Sequence, residues 1–269
     1  MLIPTNPTFP PTRYLQCDDG EQLAYLHHSG QSPGIIFLPG FQSSMRSTKS
    51  QALFNFCQER SLEYATLDYY GHGESSSSDE KKGTIGRCMS DAMAVLDNVT
   101  TSPQQILVGS SMGAWLMILI AQERLERIGG LVGIASAPDF TSIISSHVDG
   151  NDDLSTQMQT KGYCDLPTGY DEKGYYTIQE EFLKEAETHF ILSDDHVLIE
   201  LDVPIRLIHG KRDRDISYEC SKKLFRQVRS QDKELLLIED GDHRLSKPED
   251  LKIMLHALND ILGDKAILI

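Results

Sequence analysis

Two hydrophobic rhythms alternate along this chain. Short, nearly continuous apolar runs occupy residues 34–38, 64–68, 106–108, 130–135, 203–208 and 234–239. Each has the length of a strand, and the partly β-branched run at 106–108 is that of a strand buried on both faces. Between them lie stretches whose apolar positions recur every three or four residues, at 46–60, 84–98, 114–121, 218–229 and 248–262, as on helices with one or more buried faces. Runs 13–17 and 22–27 flank Asp18-Asp19-Gly20 and read as a hairpin. Strands alternating with helices predict an α/β fold whose mostly parallel sheet carries helices on both faces.

One segment breaks the rhythm. Residues 137–201 are polar and acidic, with an Asp/Gly/Asn cluster at 149–153, a Gly/Pro/Tyr-rich piece at 162–176 and a helical pattern at 179–190. So long an interruption between two sheet strands is uncommon unless it covers something. The expectation is one domain over residues 1–269, with a lid inserted at about 138–200.

The sharpest chemical signal lies at residues 104–121, QQILVGSSMGAWLMILIA. Gly109-Ser110-Ser111-Met112-Gly113 fits G-x-S-x-G between a buried strand and an apolar helix, the context of a nucleophile elbow. Glycines on either side let strand and helix approach and tolerate unusual backbone angles. Ser111 is centred between them, unlike Ser110. The N–H of Met112, at the helix start, is placed to bind a developing oxyanion. A second donor is expected after the strand at 34–38, in Leu38-Pro39-Gly40-Phe41-Gln42, at the N–H of Phe41. The H-G-G-G form of that loop is absent.

A base and an acid are needed. His243 follows the strand at 234–239 and precedes the last helix, whereas His27, His28, His147, His189, His196 and His256 lie on arms, lid or terminal helix. His209 ends a strand and reads as structural, and His72 sits in a loop near the expected mouth. The loop after 203–208 offers both Asp213 and Asp215, either of which could orient the base. No histidine, cysteine or carboxylate group has metal-ligand spacing, 71–73 is no phosphate loop, and no cofactor is implied.

Composition narrows the partners. The net charge of −15, from 40 acidic against 25 basic residues, argues against nucleic acid or an anionic membrane. The longest apolar run, eight residues, is too short to cross a bilayer. Five scattered cysteines without C-x-x-C suit reduced thiols in a cytoplasm-like compartment. The proline-rich start reads as an extended arm, not a signal peptide, though an organelle matrix fits if a targeting segment was removed. Oligomeric state is not legible.

Over about residues 13–262 the chain resembles the α/β-hydrolase superfamily. FLPGF, LDYYGHGES, GSSMG, SAPDF, LIHGKRDRDI and GDHR are similar to the family of the mitochondrial depalmitoylase and acyl-glucuronide esterase and its bacterial relatives. Ile216-Ser217 stands where that family has Val-Pro. The resemblance implies a serine hydrolase with Ser111, Asp213 and His243, in that chain order, acting on acyl esters or thioesters, and it favours Asp213 over Asp215. Rival readings are an enzyme for C–C bonds or another specialised substrate, and a silent hydrolase fold that only binds a small ligand. A dehalogenase is disfavoured, since it would need a carboxylate at position 111.

Overall fold

The computed structural model describes residues 8–194 and 198–263. His196 and residues 4–7 of the expected N-terminal arm lie outside those residues.

The hairpin forms from β1 (Arg13–Gln16) and β2 (Gln22–His28), paired antiparallel. There follow β3 (Gln31–Leu38), α1 (Thr48–Arg60), β4 (Leu62–Leu67), α2 (Ile85–Asn98), β5 (Gln105–Ser110), α3 (Met112–Glu123) and β6 (Ile128–Ile134). After an insertion, β10 (Ile205–Gly210), α7 (Glu219–Gln227), β12 (Lys233–Ile238) and α8 (Pro248–Ile261) complete the alternation. Eight strands make one sheet in the order β1-β2-β4-β3-β5-β6-β10-β12. β2 runs antiparallel to β4, and from β4 to β12 every pairing is parallel.

Strand alternation sends successive side chains to opposite faces. Ile36, Leu38, Leu107, Leu131 and Leu207 share a core with α2, α3 and Leu224 of α7. Ile35, Phe37, Ile106, Val108, Val132 and Ile208 face Leu53, Phe54 and Cys57 of α1 and Met254 and Leu258 of α8. The helices therefore cover both faces, as the apolar runs predicted. α3 is buried from Met112 to Ala121, because it lies under the insertion as well as on the sheet. All the parallel strands point the same way, so the loops leaving β3, β4, β5, β10 and β12 emerge along one edge.

The insertion has more regular structure than its composition suggested. It holds α4 (Phe140–Asp149), α5 (Asp152–Lys161), an antiparallel hairpin of β7 (Tyr163–Pro167) and β8 (Tyr175–Gln179), then α6 (Glu180–Ala186). The helix expected over 179–190 stops at Ala186, and residues 187–189 tighten into a 3₁₀ turn. The helix expected over 218–229 also ends early. Its last two residues form β11 (Val228–Arg229), which pairs in parallel with β9 (Ile199–Glu200). That short ladder ties the end of the insertion to the edge of the main body.

Two carboxylates pin the insertion at its base. Asp139, just before α4, accepts from the N–H groups of Ile191 and Leu192 at 2.9 and 2.7 Å, so entry and exit are held together. Glu185 of α6 accepts from the N–H of Gly86 at 3.0 Å and pairs with His189 at 2.7 Å, which clamps α6 to the start of α2.

Candidate active site

The turn after β5 is as tight as its glycines suggested. Ser111 has φ 56° and ψ −117°, a conformation rarely occupied by a residue with a side chain. The strain is held from outside, since Ser111 N–H donates to Ile134 O at 2.8 Å and its carbonyl accepts from Ala114 N–H at 3.0 Å. A Cβ on Gly109 would strike the Gly113 carbonyl and Ala114, and one on Gly113 would strike the carbonyls of Leu38 and Pro39. Both glycines are thus required by close approach, and the serine hydroxyl is presented at the edge of the sheet.

His243 meets it there. Its Nε2 lies 3.0 Å from Ser111 Oγ, and its Nδ1 lies 2.7 Å from Asp213 Oδ2. The chain of contacts spans three loops that follow β5, β10 and β12. The loops after β10 and β12 cross closely. A Cβ on Gly210 would collide with the Gly241 carbonyl, whose oxygen accepts from Arg212 N–H at 2.9 Å. Lys49 of α1 braces the base loop from behind, donating to Arg244 O at 2.5 Å and Ser246 Oγ at 3.2 Å. Burial pushes its ammonium down to about 8, against the nearby carboxylates of Asp242 and Asp250.

The structure separates the two candidate acids. Asp213 is wholly buried at its side chain and bonded to His243. Its Oδ1 accepts from the N–H groups of Asp215 and Ile216 at 2.9 and 2.8 Å. Burial works against its charge, yet the bonds from His209 and His243, the nearby imidazole and the backbone outweigh it and hold the carboxyl well below the usual range. Asp215 points elsewhere and accepts from the hydroxyl of Tyr170, on the insertion, at 2.5 Å. Asp213, Asp215 and His243 each bring one donor atom within 4.8 Å of the others. Two of those groups are already joined to each other through His243 Nδ1 and Asp213 Oδ2.

His209 occupies a place that its position at the end of β10 does not announce. It is fully buried, and its Nε2 lies 3.0 Å from Asp213 Oδ2, the same oxygen that His243 uses. The only trace in the sequence is the spacing of four between the two residues.

Gly40 packs beside Ser111, and Phe41 follows it. Among the described residues neither the Phe41 N–H nor the Met112 N–H has an intramolecular acceptor. Phe41 is also the hub of an aromatic cluster. Its ring lies 5.3 Å from Phe182, 5.7 Å from Tyr176, 5.9 Å from Phe140 and 6.0 Å from His72, centre to centre. Trp115 of α3 joins through Phe140 and donates its indole N–H to His189 O at 3.1 Å. Aromatic side chains from the insertion thus pack against Phe41 and, through Phe140, against Trp115 of α3.

Beside this cluster is a cavity of about 420 Å³, lined by Gln42, His72, Glu80, Lys173 and Gln179 among others. His72 Nδ1 donates to Tyr70 O at 3.0 Å, and its buried Nε2 has no partner among the described residues. Burial lowers its pKa. His27 pairs with buried Glu63, and His28 packs against Phe54, so both serve packing. The five cysteines are unpaired. Among the described residues no helix is long and apolar enough to cross a membrane.

Known proteins share both sequence and architecture. The model of the alpha/beta hydrolase family matches residues 35–251. The human mitochondrial palmitoyl-protein thioesterase ABHD10 is 34% identical over 249 residues, which cover 93% of this chain and 79% of the relative. The structure of mouse alpha/beta hydrolase domain-containing protein 10 superposes with a TM-score of 0.83 at 32% identity, covering 94% of this chain and 98% of that one. A protein of Agrobacterium vitis S4 superposes with a TM-score of 0.85 at 29% identity, covering 93% and 98%.

Proposed function

Because the chain belongs to the alpha/beta hydrolase family, we propose that it is a serine hydrolase cleaving acyl esters or thioesters through Ser111, His243 and Asp213. The observation that carries this reading is the continuous chain from Ser111 Oγ to His243 Nε2 at 3.0 Å and from His243 Nδ1 to Asp213 Oδ2 at 2.7 Å, mounted on a strained elbow.

In this mechanism Ser111 Oγ attacks the carbonyl carbon while its proton passes to His243 Nε2. Negative charge moves to the carbonyl oxygen, where the N–H groups of Phe41 and Met112 receive it. Losing one such donor costs roughly 3–4 kcal/mol of barrier. The imidazolium gives its proton to the departing alkoxide or thiolate, leaving an acyl-enzyme. His243 then takes a proton from water as the water oxygen bonds to the acyl carbon, and the second tetrahedral intermediate collapses by breaking the carbon–Oγ bond, with His243 returning that proton to Ser111 Oγ as the acid leaves. Asp213 stays ionised throughout. It holds the His243 ring in the Nδ1–H tautomer and stabilises its cation.

The insertion at about 138–200 is a lid in this reading. Its Phe140, Tyr176 and Phe182 meet Phe41 beside the elbow, which suits an apolar acyl group. The relatives named palmitoyl-protein thioesterase support extending the substrates to thioesters of long acyl chains on protein cysteines. The unpaired thiols suit a reducing compartment, cytoplasmic or, as in the relatives named mitochondrial, an organelle matrix.

Hydrolysis of p-nitrophenyl acyl esters of increasing chain length tests the proposal. The native protein should turn them over with an optimum at medium to long chains, and Ser111→Ala should reduce kcat by about 10⁴ or more. Turnover unchanged in Ser111→Ala would refute it. So would native inactivity towards both the esters and the matching acyl thioesters.

A further inference from the structure

Asp213 Oδ2 carries two imidazoles. His243 Nδ1 approaches it at 2.7 Å from the solvent side, and His209 Nε2 approaches at 3.0 Å from the core. His209 Nε2 also lies 3.1 Å from the Ile216 carbonyl. A carbonyl oxygen only accepts, so the proton sits on Nε2 and is shared between two oxygens. The other ring nitrogen, Nδ1, lies 2.7 Å from Ser221 Oγ on α7. Ser221 is fully buried, and its hydroxyl has no other partner among the described residues. Its proton therefore goes to Nδ1, which makes His209 neutral and fixes it as the Nε2–H tautomer.

We infer that His209, locked by Ser221, is a positioning residue that sets how strongly Asp213 supports the proton on His243. The inference rests on the proposed acyl-transfer reading only for its consequence in turnover, since the coupling between the two imidazoles exists with or without substrate. The physical cause is competition for one oxygen. Each donor that Oδ2 accepts takes up part of the negative charge available to the other. With His209 donating, Oδ2 stabilises the His243 cation less. Removing the donor leaves the carboxylate in place, because Oδ1 is still held by the N–H groups of Asp215 and Ile216. Oδ2 then serves His243 alone. The other charged or titratable groups around this unit are Asp215, Tyr170 and Arg244 on the solvent side, and Cys220, Lys223 and Asp139 towards α7.

The test is the titration of His243 in protein carrying isotope-labelled histidine, followed by NMR and assigned by loss of its signal in His243→Gln. In His209→Leu the His243 pKa should rise by about one unit. In His209→Gln, whose amide can still donate, it should stay within a few tenths of the native value. Ser221→Ala should move it up by less than His209→Leu does, and adding it to His209→Leu should change nothing further, because Ser221 acts only through the ring. That milder variant keeps the inference testable should His209→Leu fail to fold. In turnover, His209→Leu should lose about fivefold in kcat/KM at the midpoint of the native acid limb and recover well above it.

A His243 pKa that is unmoved or lowered in His209→Leu would overturn the inference. So would a loss of kcat/KM equal at every pH, which is what a purely structural role produces. Failure of the acyl-transfer reading would look different. The native protein would then turn over no acyl substrate, while the titration would still report on the two rings.

Discussion

At the scale of single residues, what distinguishes Asp213 from Asp215 is where each carboxylate is directed, two positions apart on one loop. Asp213 is buried and takes His243, and Asp215 takes the Tyr170 hydroxyl at the surface. Asp213→Asn should lower kcat by about 10⁴, since the amide offers His243 a donor and favours the wrong tautomer. Asp215→Asn should stay within about fivefold, because only its side-chain bond to Tyr170 weakens and its N–H still reaches Asp213. Steady-state kinetics on one ester, with melting temperatures measured in parallel, checks both. Equal losses would mean that the assignment of the acid is wrong. From spacing alone the two aspartates stood open, and only the family resemblance favoured the first. The role of His209 was less legible still. A histidine ending a strand reads as packing until the direction of its ring is known.

At the scale of elements, the sheet and its helices were legible because each buried strand has to be apolar on both faces, and each helix has to be periodic. The elbow was legible for a related reason. Glycine at 109 and 113 is demanded by backbone contacts that tolerate no Cβ. Gly109→Ala should destabilise the fold by about 1–3 kcal/mol, read from urea unfolding, with a larger loss of activity as the strand and helix are forced apart. Wild-type stability and turnover in that variant would show that the turn is more pliable than its packing implies. The insertion was the least legible part. α5 shows only Leu154 and Met158 on its buried side, and its clearest signal is the Asn151 cap, whose side chain accepts from Asp153 and Leu154 N–H. β7 and β8 are short and half exposed, so alternation has little burial to report. The extra structure at 199–200 and 228–229 consists of two-residue strands that no periodicity can reveal.

At the scale of the whole molecule, an acidic chain depends on a few well-satisfied carboxylates. Glu63 at the start of β4 is the clearest. Burial disfavours its charge, but His27, both donors of Thr101, Ser102 N–H and Gln105 together hold it well below the usual glutamate value. A group depressed in the folded state contributes stability above its unfolded value of about 4.3 and loses it as pH falls through that value towards the folded one. The melting temperature should therefore drop steeply below about pH 4.5. Glu63→Gln should melt lower at pH 7 and show a shallower acid limb. Parallel acid limbs in the two proteins would mean that other carboxylates dominate acid unfolding.

In the proposed mechanism the lid, the sheet edge and the elbow together present one activated serine to one carbonyl. Intact-mass and peptide mass spectrometry after a brief reaction with a fluorophosphonate examines that directly. One phosphonyl adduct per chain is expected, on the peptide containing Ser111, absent from Ser111→Ala and strongly slowed in His243→Gln. No adduct, or one on Ser110 or any other residue, would contradict Ser111 as the nucleophile.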